Sequence, residues 1–511
     1  MSKRAFASLF VAFFVLGAGL RLARLGLRPM HHDEANQALK FGQLLEQGEY
    51  RYDPLDHHGP SLYYLSLPFA LVLSGKSLPG LDETTLRLVT ASFGLGTILL
   101  LLLFVPMMGR AAVAWSALAL AVSPVMTYFS RFYIQETLLV FFLAGLIASV
   151  WRYALRPGWG WAAAAGFCAG LMYATKETSI IAFGAAAAGL LLVRPWGRRR
   201  DGRALSHGLL AVGSAAGAAF LLFSSFLQNP GGLADSLMSF RVYFARAGEA
   251  GFHVQPWYYY FGKLAWVPGN GGPAWSEGLV LGLALAGAFA AFAPGRSSLK
   301  NTAFARFLVV YSALAAAVYS AIPYKTPWNI LPFYLGFILL AGVGTAALAG
   351  FPRRNVVRLG LALVLAAGFL ELASQSRRAS FVYPADPRNP YAYAQTSPDY
   401  LKLVRRVEDL AALAPDGRNM LVKVIAGPYE TWPLPWSLRR FGRVGYWPDA
   451  SSAGDVGRPP VVIASAGEAA ALEPVLGADY QPELYALRPE TFLTLFIRGD
   501  LWGAFLKTRE R

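Results

Sequence analysis

Long apolar runs alternate with short polar loops through roughly the first three quarters of the chain. A bilayer core takes about 20 apolar residues of helix to cross. A segment inside it must also satisfy its own backbone hydrogen bonds, so such runs are read as helices. The pattern predicts about eleven spans, near 5–25, 86–108, 111–128, 136–155, 160–175, 178–193, 207–227, 278–293, 304–322, 328–348 and 356–374. The apolar stretch 61–74 (SLYYLSLPFALVLS) is too short to cross and predicts an interfacial helix. From residue 379 the pattern changes. A Pro- and Tyr-rich stretch from Tyr383 to Pro398 reads as a linker. It is followed by an amphipathic helix at about 399–413, an apolar run Met420–Ala426, a helix near Trp432–Arg440, a strand Val461–Ala464, a helix near 467–476, and strands near 484–487 and 491–497. The expected fold class is a polytopic α-helical membrane domain, 1–378, with a small soluble α/β domain, 379–511.

Composition agrees. Of 511 residues, 55% are hydrophobic and 15% charged, which excludes an ordinary soluble protein. A net charge of +16 would suggest nucleic acid in a soluble chain. Here the basic residues fall in short loops between apolar runs, so the expected partner is membrane lipid and no nucleic acid. With a cytoplasmic N-terminus and 61–74 not crossing, the loops at Arg110, Arg152 and Arg156, Arg194 to Arg203, Arg296, Lys300 and Arg306, and Arg353 to Arg358 all face the cytoplasm. That satisfies the positive-inside rule at every turn. Loops 26–85, 129–135, 176–177, 228–277 and 323–327, and the tail, then lie on the outer face of a cytoplasmic (inner) membrane. Lys3 and Arg4 before an apolar run are read as the flank of an uncleaved first span, with a signal peptide as the alternative. The single cysteine, Cys168, allows no internal disulfide. No glycine-rich phosphate loop opens a tail helix, so no nucleotide site is expected there. The span centres carry almost no ionisable residue, which favours chemistry at the outer surface over transport through the bundle.

The outer loops hold the unusual polar residues. Four of the six histidines, His31, His32, His57 and His58, lie within 28 residues, beside Asp33, Glu34, Asp53 and Asp56. Asp33 and Glu34 could take a proton from a hydroxyl, hold a divalent cation, or begin a helix. His57 and His58 suit a metal shared with His31, His32 or Asp33, or hydrogen bonds to a phosphate or sugar. Gln135 adjoins Glu136, a carboxylate at the start of a membrane helix, which needs a partner or serves the helix dipole. Arg131 has the two-pronged donor geometry for a phosphate. Lys176 either pairs with Glu177 or meets a ligand. Lys325, flanked by Pro323 and Pro327, is placed to neutralise a lipid phosphate at headgroup depth. The 228–277 loop, with Arg241, Arg246, His253 and Trp257 to Tyr260, either covers a lipid-accessible site or lies on the interface.

The order of these features resembles the GT-C class of membrane glycosyltransferases. A first span is followed by Asp33-Glu34 and a turn into an aromatic interfacial helix (His58-Gly59-Pro60-Ser61-Leu62-Tyr63-Tyr64). Glu136, Lys176 and a C-terminal outer domain come next. The branch most resembled is that of protein O-mannosyltransferases and lipid A aminoarabinose transferases, and within it the "flippase activity-associated" group. The histidine pairs, and Glu rather than Asp at 136, depart from the mannosyltransferase pattern. The resemblance implies inverting transfer of a sugar from a polyprenyl-phosphate donor to a glycan, lipid or protein acceptor hydroxyl on the outer face. It implies Asp33 as the base, Glu34 and Glu136 as groups that orient the acceptor or hold a divalent ion, and Arg131, Lys176 and Lys325 at the donor phosphate. His57, His58 and Gln135 are left for the acceptor or sugar. The alternative is a non-catalytic membrane component that assists binding or flipping of lipid-linked sugars.

Overall fold

The computed structural model describes residues 1–55, 58–195, 202–247, 253–269, 271–293, 301–350 and 354–509. His57 and parts of three basic loops (196–201, 294–300 and 351–353) therefore lie outside the described residues.

Among the described residues, seven helical stretches are long and apolar enough to cross a membrane: Lys3–Leu27, Glu83–Val122, Glu136–Leu155, Ala204–Phe223, Thr302–Ala321, Pro327–Gly350 and Asn355–Val382. Glu83–Val122 runs over two of the expected spans, and its path breaks at Gly109, whose φ of 82° and ψ of 163° are not helical. Three more expected spans are helices of 15 residues, Trp159–Tyr173, Ser179–Val193 and Gly278–Phe292. At 1.5 Å per residue each is roughly 22 Å long. The Ser61–Leu73 helix has 13 residues. Leu62, Tyr63, Ser66 and Ala70 are buried, while Leu71, Val72 and Leu73 are exposed.

Small residues bring the helices together. A Cβ on Gly287 would fall 2.1 Å from the Leu340 carbonyl oxygen, and one on Gly344 would fall 2.0 Å from that of Leu283. Only glycine permits this approach between Gly278–Phe292 and Leu331–Gly350. At the end of the same pair, the Glu277 carboxylate accepts from Ser123 Oγ (2.8 Å), Val125 N (2.9 Å) and Tyr334 Oη (2.6 Å). A buried carboxylate so supplied with donors ties three helix ends together.

Residues 422–498 form one five-stranded sheet. Its strands are β1 (Val422–Ile425), β2 (Val444–Trp447), β3 (Val461–Ser465), β4 (Tyr480–Arg488) and β5 (Thr491–Arg498), in the order β2-β1-β3-β5-β4. β1 is parallel to β2 and β3, and β5 is antiparallel to β3 and β4. β3 is buried along its whole length, as a central strand covered on both faces must be. Helices Tyr400–Leu413 and Gly499–Lys507 pack on one face, and Ala466–Leu476 on the other.

The 383–398 stretch is no free tether. Tyr391 is 2% exposed and belongs to the membrane-bundle core. Tyr128 Oη donates to the Pro384 carbonyl (2.9 Å), Gln395 Nε2 to Pro29 O (3.1 Å) and Thr396 Oγ1 to Met30 O (2.7 Å). Trp436 Nε1 donates to Glu83 Oε1 (2.7 Å), and Arg440 Nε to Pro79 O (3.1 Å). These bonds fix the sheet unit against the end of the bundle that carries residues 29–34.

Candidate active site

A cavity of about 550 Å³ opens at that end of the bundle. Its polar lining includes Asp33, Gln37, His58, Gln135, Glu136, Lys176, Glu177, Tyr319, Tyr324 and Asn329, and its apolar lining includes Ile180, Ile181, Phe240 and Trp328. Besides Pro54, Leu55, His58 and Phe240, four stretches of sequence meet there.

The first is the helix His32–Gln47. Its N-cap is His31, whose Nδ1 accepts from Asp33 N (3.0 Å) and whose Nε2 lies 3.1 Å from the Tyr393 carbonyl. Glu34 completes a capping box by accepting from His31 N (3.1 Å). This cap turns Asp33 towards the cavity with its side chain 39% exposed. Burial pushes the Asp33 carboxyl up, but His31, His32, His58 and Lys176 together hold it below its ordinary range.

Glu34 faces the other way and is 0% exposed. It accepts from Arg87 Nε (2.7 Å) and Nη2 (2.8 Å), Arg28 Nη2 (3.3 Å) and Tyr133 N (2.9 Å), besides His31 N (3.1 Å). Burial raises its pKa, yet Arg87 and Arg28 bring it down to about 2. Both of its oxygens are thus engaged inside the fold, and Glu34 is not among the residues that line the cavity.

The second stretch is 131–136. Gln135 Nε2 donates to Gln37 Oε1 (2.9 Å), an oxygen that also accepts from Tyr63 Oη. Glu136 opens the Glu136–Leu155 helix, and its Oε1 accepts from Lys176 Nζ in a buried ion pair. Its Oε2 is buried without a hydrogen-bond partner among the described residues. Arg131 is turned away from the cavity. Its guanidinium donates to the carbonyls of Leu20, Arg21, Ala23 and Arg24 at 2.7–3.2 Å, capping the first helix. Its donors are thereby engaged away from any donor phosphate in the cavity.

The third stretch is 174–178. Lys176 pairs with Glu136 rather than with its neighbour Glu177. Glu177 Oε2 accepts from His58 Nδ1 (3.0 Å), and Oε1 accepts from Tyr52 Oη (3.3 Å). Burial raises the Glu177 carboxyl, but the charge and hydrogen bond of His58 bring it below its ordinary range. The fourth is 319–329. Tyr319, Tyr324, Trp328 and Asn329 reach the cavity, whereas Lys325 does not line it. Lys325 Nζ instead donates to the carbonyls of Gln255 (3.0 Å) and Ile322.

The metal candidates do not assemble. Both ring nitrogens of His31 are engaged by backbone atoms. The His32 ring packs against Trp432, with centroids 5.4 Å apart. Among the described residues no group of three or more His, Cys, Asp and Glu side chains could hold a metal ion.

Gly59 is what seats His58. A Cβ there would lie 2.2 Å from the Ala174 carbonyl oxygen, and Ser61 N donates to that same oxygen (2.9 Å). Ser61 Oγ and Thr175 Oγ1 are 2.7 Å apart. Gly59→Ala is expected to push the 58–61 turn off the 174–175 loop and cost about 1–3 kcal/mol. Thermal unfolding of the purified protein checks this; an unchanged Tm would mean the turn yields freely.

Sequence reasoning passed over Gln37 and gave Glu177 no role of its own. Gln37 sits one helical turn beyond Asp33, so the helix period alone would have placed it on the same face.

Beside the polar cavity lies an apolar groove of about 710 Å³, lined by Gly170, Tyr173, Phe183, Phe220, Leu233 and Leu237 among others. Tyr173 stacks on Phe240 (6.1 Å, 20°), and Phe240 also lines the polar cavity. The two spaces therefore adjoin through this ring pair.

Residues 66–227 match the family model described as dolichyl-phosphate-mannose-protein mannosyltransferase. That stretch contains Glu136, Lys176 and Glu177 but not Asp33 or His58. The chain is similar in fold to ArnT from Cupriavidus metallidurans, solved bound to undecaprenyl phosphate, with 17% identity and a TM-score of 0.64 over 98% of this chain and 99% of that one. It is also similar to the Archaeoglobus fulgidus oligosaccharyltransferase tethered with an acceptor peptide, with 13% identity and a TM-score of 0.56 over 91% of this chain and 69% of that one. A search of curated protein sequences gave no match. The chain thus has the fold of the GT-C membrane glycosyltransferases, and its segment 66–227 resembles the mannosyltransferase family model.

Proposed function

We propose that the protein transfers a sugar from a polyprenyl-phosphate donor to an acceptor hydroxyl, with inversion, at the outer face of the membrane. One observation carries this reading: a cavity holding Asp33, Glu136 and Lys176 adjoins an apolar groove. A donor with an isoprenoid tail, a phosphate and a sugar needs this sequence of environments. ArnT was solved with undecaprenyl phosphate, which makes a lipid of that kind the proposed donor here.

The acceptor oxygen attacks the anomeric carbon, and the bond from that carbon to the phosphate oxygen breaks. The electron pair leaves on the phosphate. Lys176 meets that charge, and Glu136 holds the ammonium in place. Asp33 faces the positive charge that builds on the sugar. Gln135 and Gln37 are positioned for sugar hydroxyls. The proposed acceptor is a glycan, lipid or protein hydroxyl.

Native mass spectrometry of the protein with undecaprenyl phosphate tests the donor site. Wild type is expected to retain the lipid and Lys176→Ala to lose it, with binding weakened about tenfold or more, as for loss of one charge-assisted contact. Equal retention by both would remove Lys176 from the phosphate site and with it the main support for this reading.

The proposed topology has eleven crossings from a cytoplasmic N-terminus, counting the three 15-residue helices, and on it the cavity and the sheet unit lie outside. A reporter fused after Arg203 is then expected in the cytoplasm and one after Tyr383 outside. The reverse placement would move the site to the cytoplasmic face.

A further inference from the structure

The acceptor hydroxyl must lose a proton as it attacks. We propose that His58 is the general base that takes it, with Glu177 as its positioning residue. This rests on the glycosyl-transfer reading above.

His58 Nδ1 lies 3.0 Å from Glu177 Oε2. A carboxylate there fixes the tautomer with the proton on Nδ1, which makes Nε2 the basic atom. Glu177 is itself fixed: its side chain is 6% exposed and its second oxygen accepts from Tyr52 Oη. Both carboxylate oxygens are therefore engaged, and its effect on chemistry passes through the imidazole. The His58 side chain is 26% exposed and lines the same cavity as Asp33 and Glu136. The Gly59 contact with Ala174 brings the two partners together from sequence positions 119 apart.

Asp33 is the poorer base. Its carboxyl lies below the ordinary range, which suits a fixed negative charge more than a proton carrier at neutral pH. In the proposed step the acceptor oxygen bonds to the anomeric carbon as its proton passes to His58 Nε2. The phosphate leaves with the electron pair, and Glu177 balances the imidazolium. Among the described residues, the charged groups that share the cavity with the ring are Asp33 on the His32–Gln47 helix, Glu136 at the start of the Glu136–Leu155 helix, and Lys176 and Glu177 on the 174–178 loop.

A buried histidine–carboxylate pair could also serve only to clip a turn to a loop, and the test separates the two roles. The full-length protein in lipid nanodiscs is given undecaprenyl phosphate carrying mannose, glucose, galactose, N-acetylglucosamine or a pentose. Water serves as the acceptor, and release of free sugar is followed. His58→Ala is expected to lower turnover about a hundredfold, at the lower end of general-base effects, with donor binding unchanged and turnover restored by added imidazole. His58→Gln keeps a donor to Glu177 and so the clip, and is expected to lose as much. Glu177→Gln removes the carboxylate that fixes the ring tautomer and is expected to lower turnover with donor binding unchanged. Wild-type turnover by either His58 variant, or a loss that imidazole does not relieve while His58→Gln stays active, overturns the proposal. A wild-type protein that releases none of these sugars overturns the glycosyl-transfer reading instead.

Discussion

Glu34→Gln is expected to lower the stability of the protein by roughly 3–5 kcal/mol, the range for removing one partner of a buried ion pair. Arg87 and Arg28 are 1% and 6% exposed, and Glu34 is their carboxylate partner. The amide would leave both guanidinium charges uncompensated. It would also turn an NH2 group towards the N–H donors of Arg87, His31 or Tyr133. The same pair sets an acid limb. The folded-state pKa of Glu34 is depressed to about 2 from an ordinary 4.5. Its contribution is therefore fully present above about pH 4.5 and is lost as the pH falls towards 2. Tm measured against pH is expected to fall through that window in wild type and to lack this component in Glu34→Gln. A double-mutant cycle with Arg87→Met isolates the pair, since the variant carrying both substitutions no longer buries an unmatched charge at position 87. A Tm for Glu34→Gln equal to wild type would mean that Arg87 and Arg28 find other partners.

How much of this was legible follows from what kind of signal each residue leaves. The apolar runs are long, so the helices of the bundle were placed to within a few residues. Glu136–Leu155 coincides with an expected span and Asn355–Arg377 runs a little past one. The tail was read well where the pattern is strong: the expected helix at 399–413 is Tyr400–Leu413 and the expected strand Val461–Ala464 is β3. β2 was missed. Its four residues alternate only weakly between inside and outside, and its place at the sheet edge follows from pairing that a local pattern does not encode. The Gly499–Lys507 helix was missed because a strand runs directly into it. In the site, the sequence marked which residues were unusual but not which way they point. Arg131 and Lys325 looked like free cations beside a membrane, yet each is committed to carbonyls from segments distant in sequence, Leu20 to Arg24 and Gln255. Asp33 and Glu34 both read as site carboxylates. Only the capping box, with Glu34 at its third position, sends one inward and leaves the other facing the cavity. The Pro- and Tyr-rich stretch read as a linker because proline masks the fact that Tyr391 and Asn389 are buried.

Asp33→Asn is expected to be the mirror image of Glu34→Gln: stability nearly intact, turnover down about 10²–10³-fold, the range for removing one preorganised electrostatic contact to a transition state. The side chain is 39% exposed, and its Oδ2 lies 3.7 Å from His31 Nδ1. That nitrogen already accepts the Asp33 backbone N–H, so Asn keeps the cap while removing the charge. The lost charge is the one facing the sugar as its bond to the phosphate breaks, so kcat falls. The Lys176 side of the cavity is untouched, so donor binding holds. Lys176→Ala should show the converse, with donor affinity lost first. Sugar release from the undecaprenyl-phosphate donors, measured at saturating donor alongside Tm, separates the three variants. If Asp33→Asn turns over like wild type, Asp33 is only the second residue of a capped helix, and the chemistry must be sought at His58 and Glu136. If it unfolds as readily as Glu34→Gln, the division of labour between these two adjacent carboxylates is wrong.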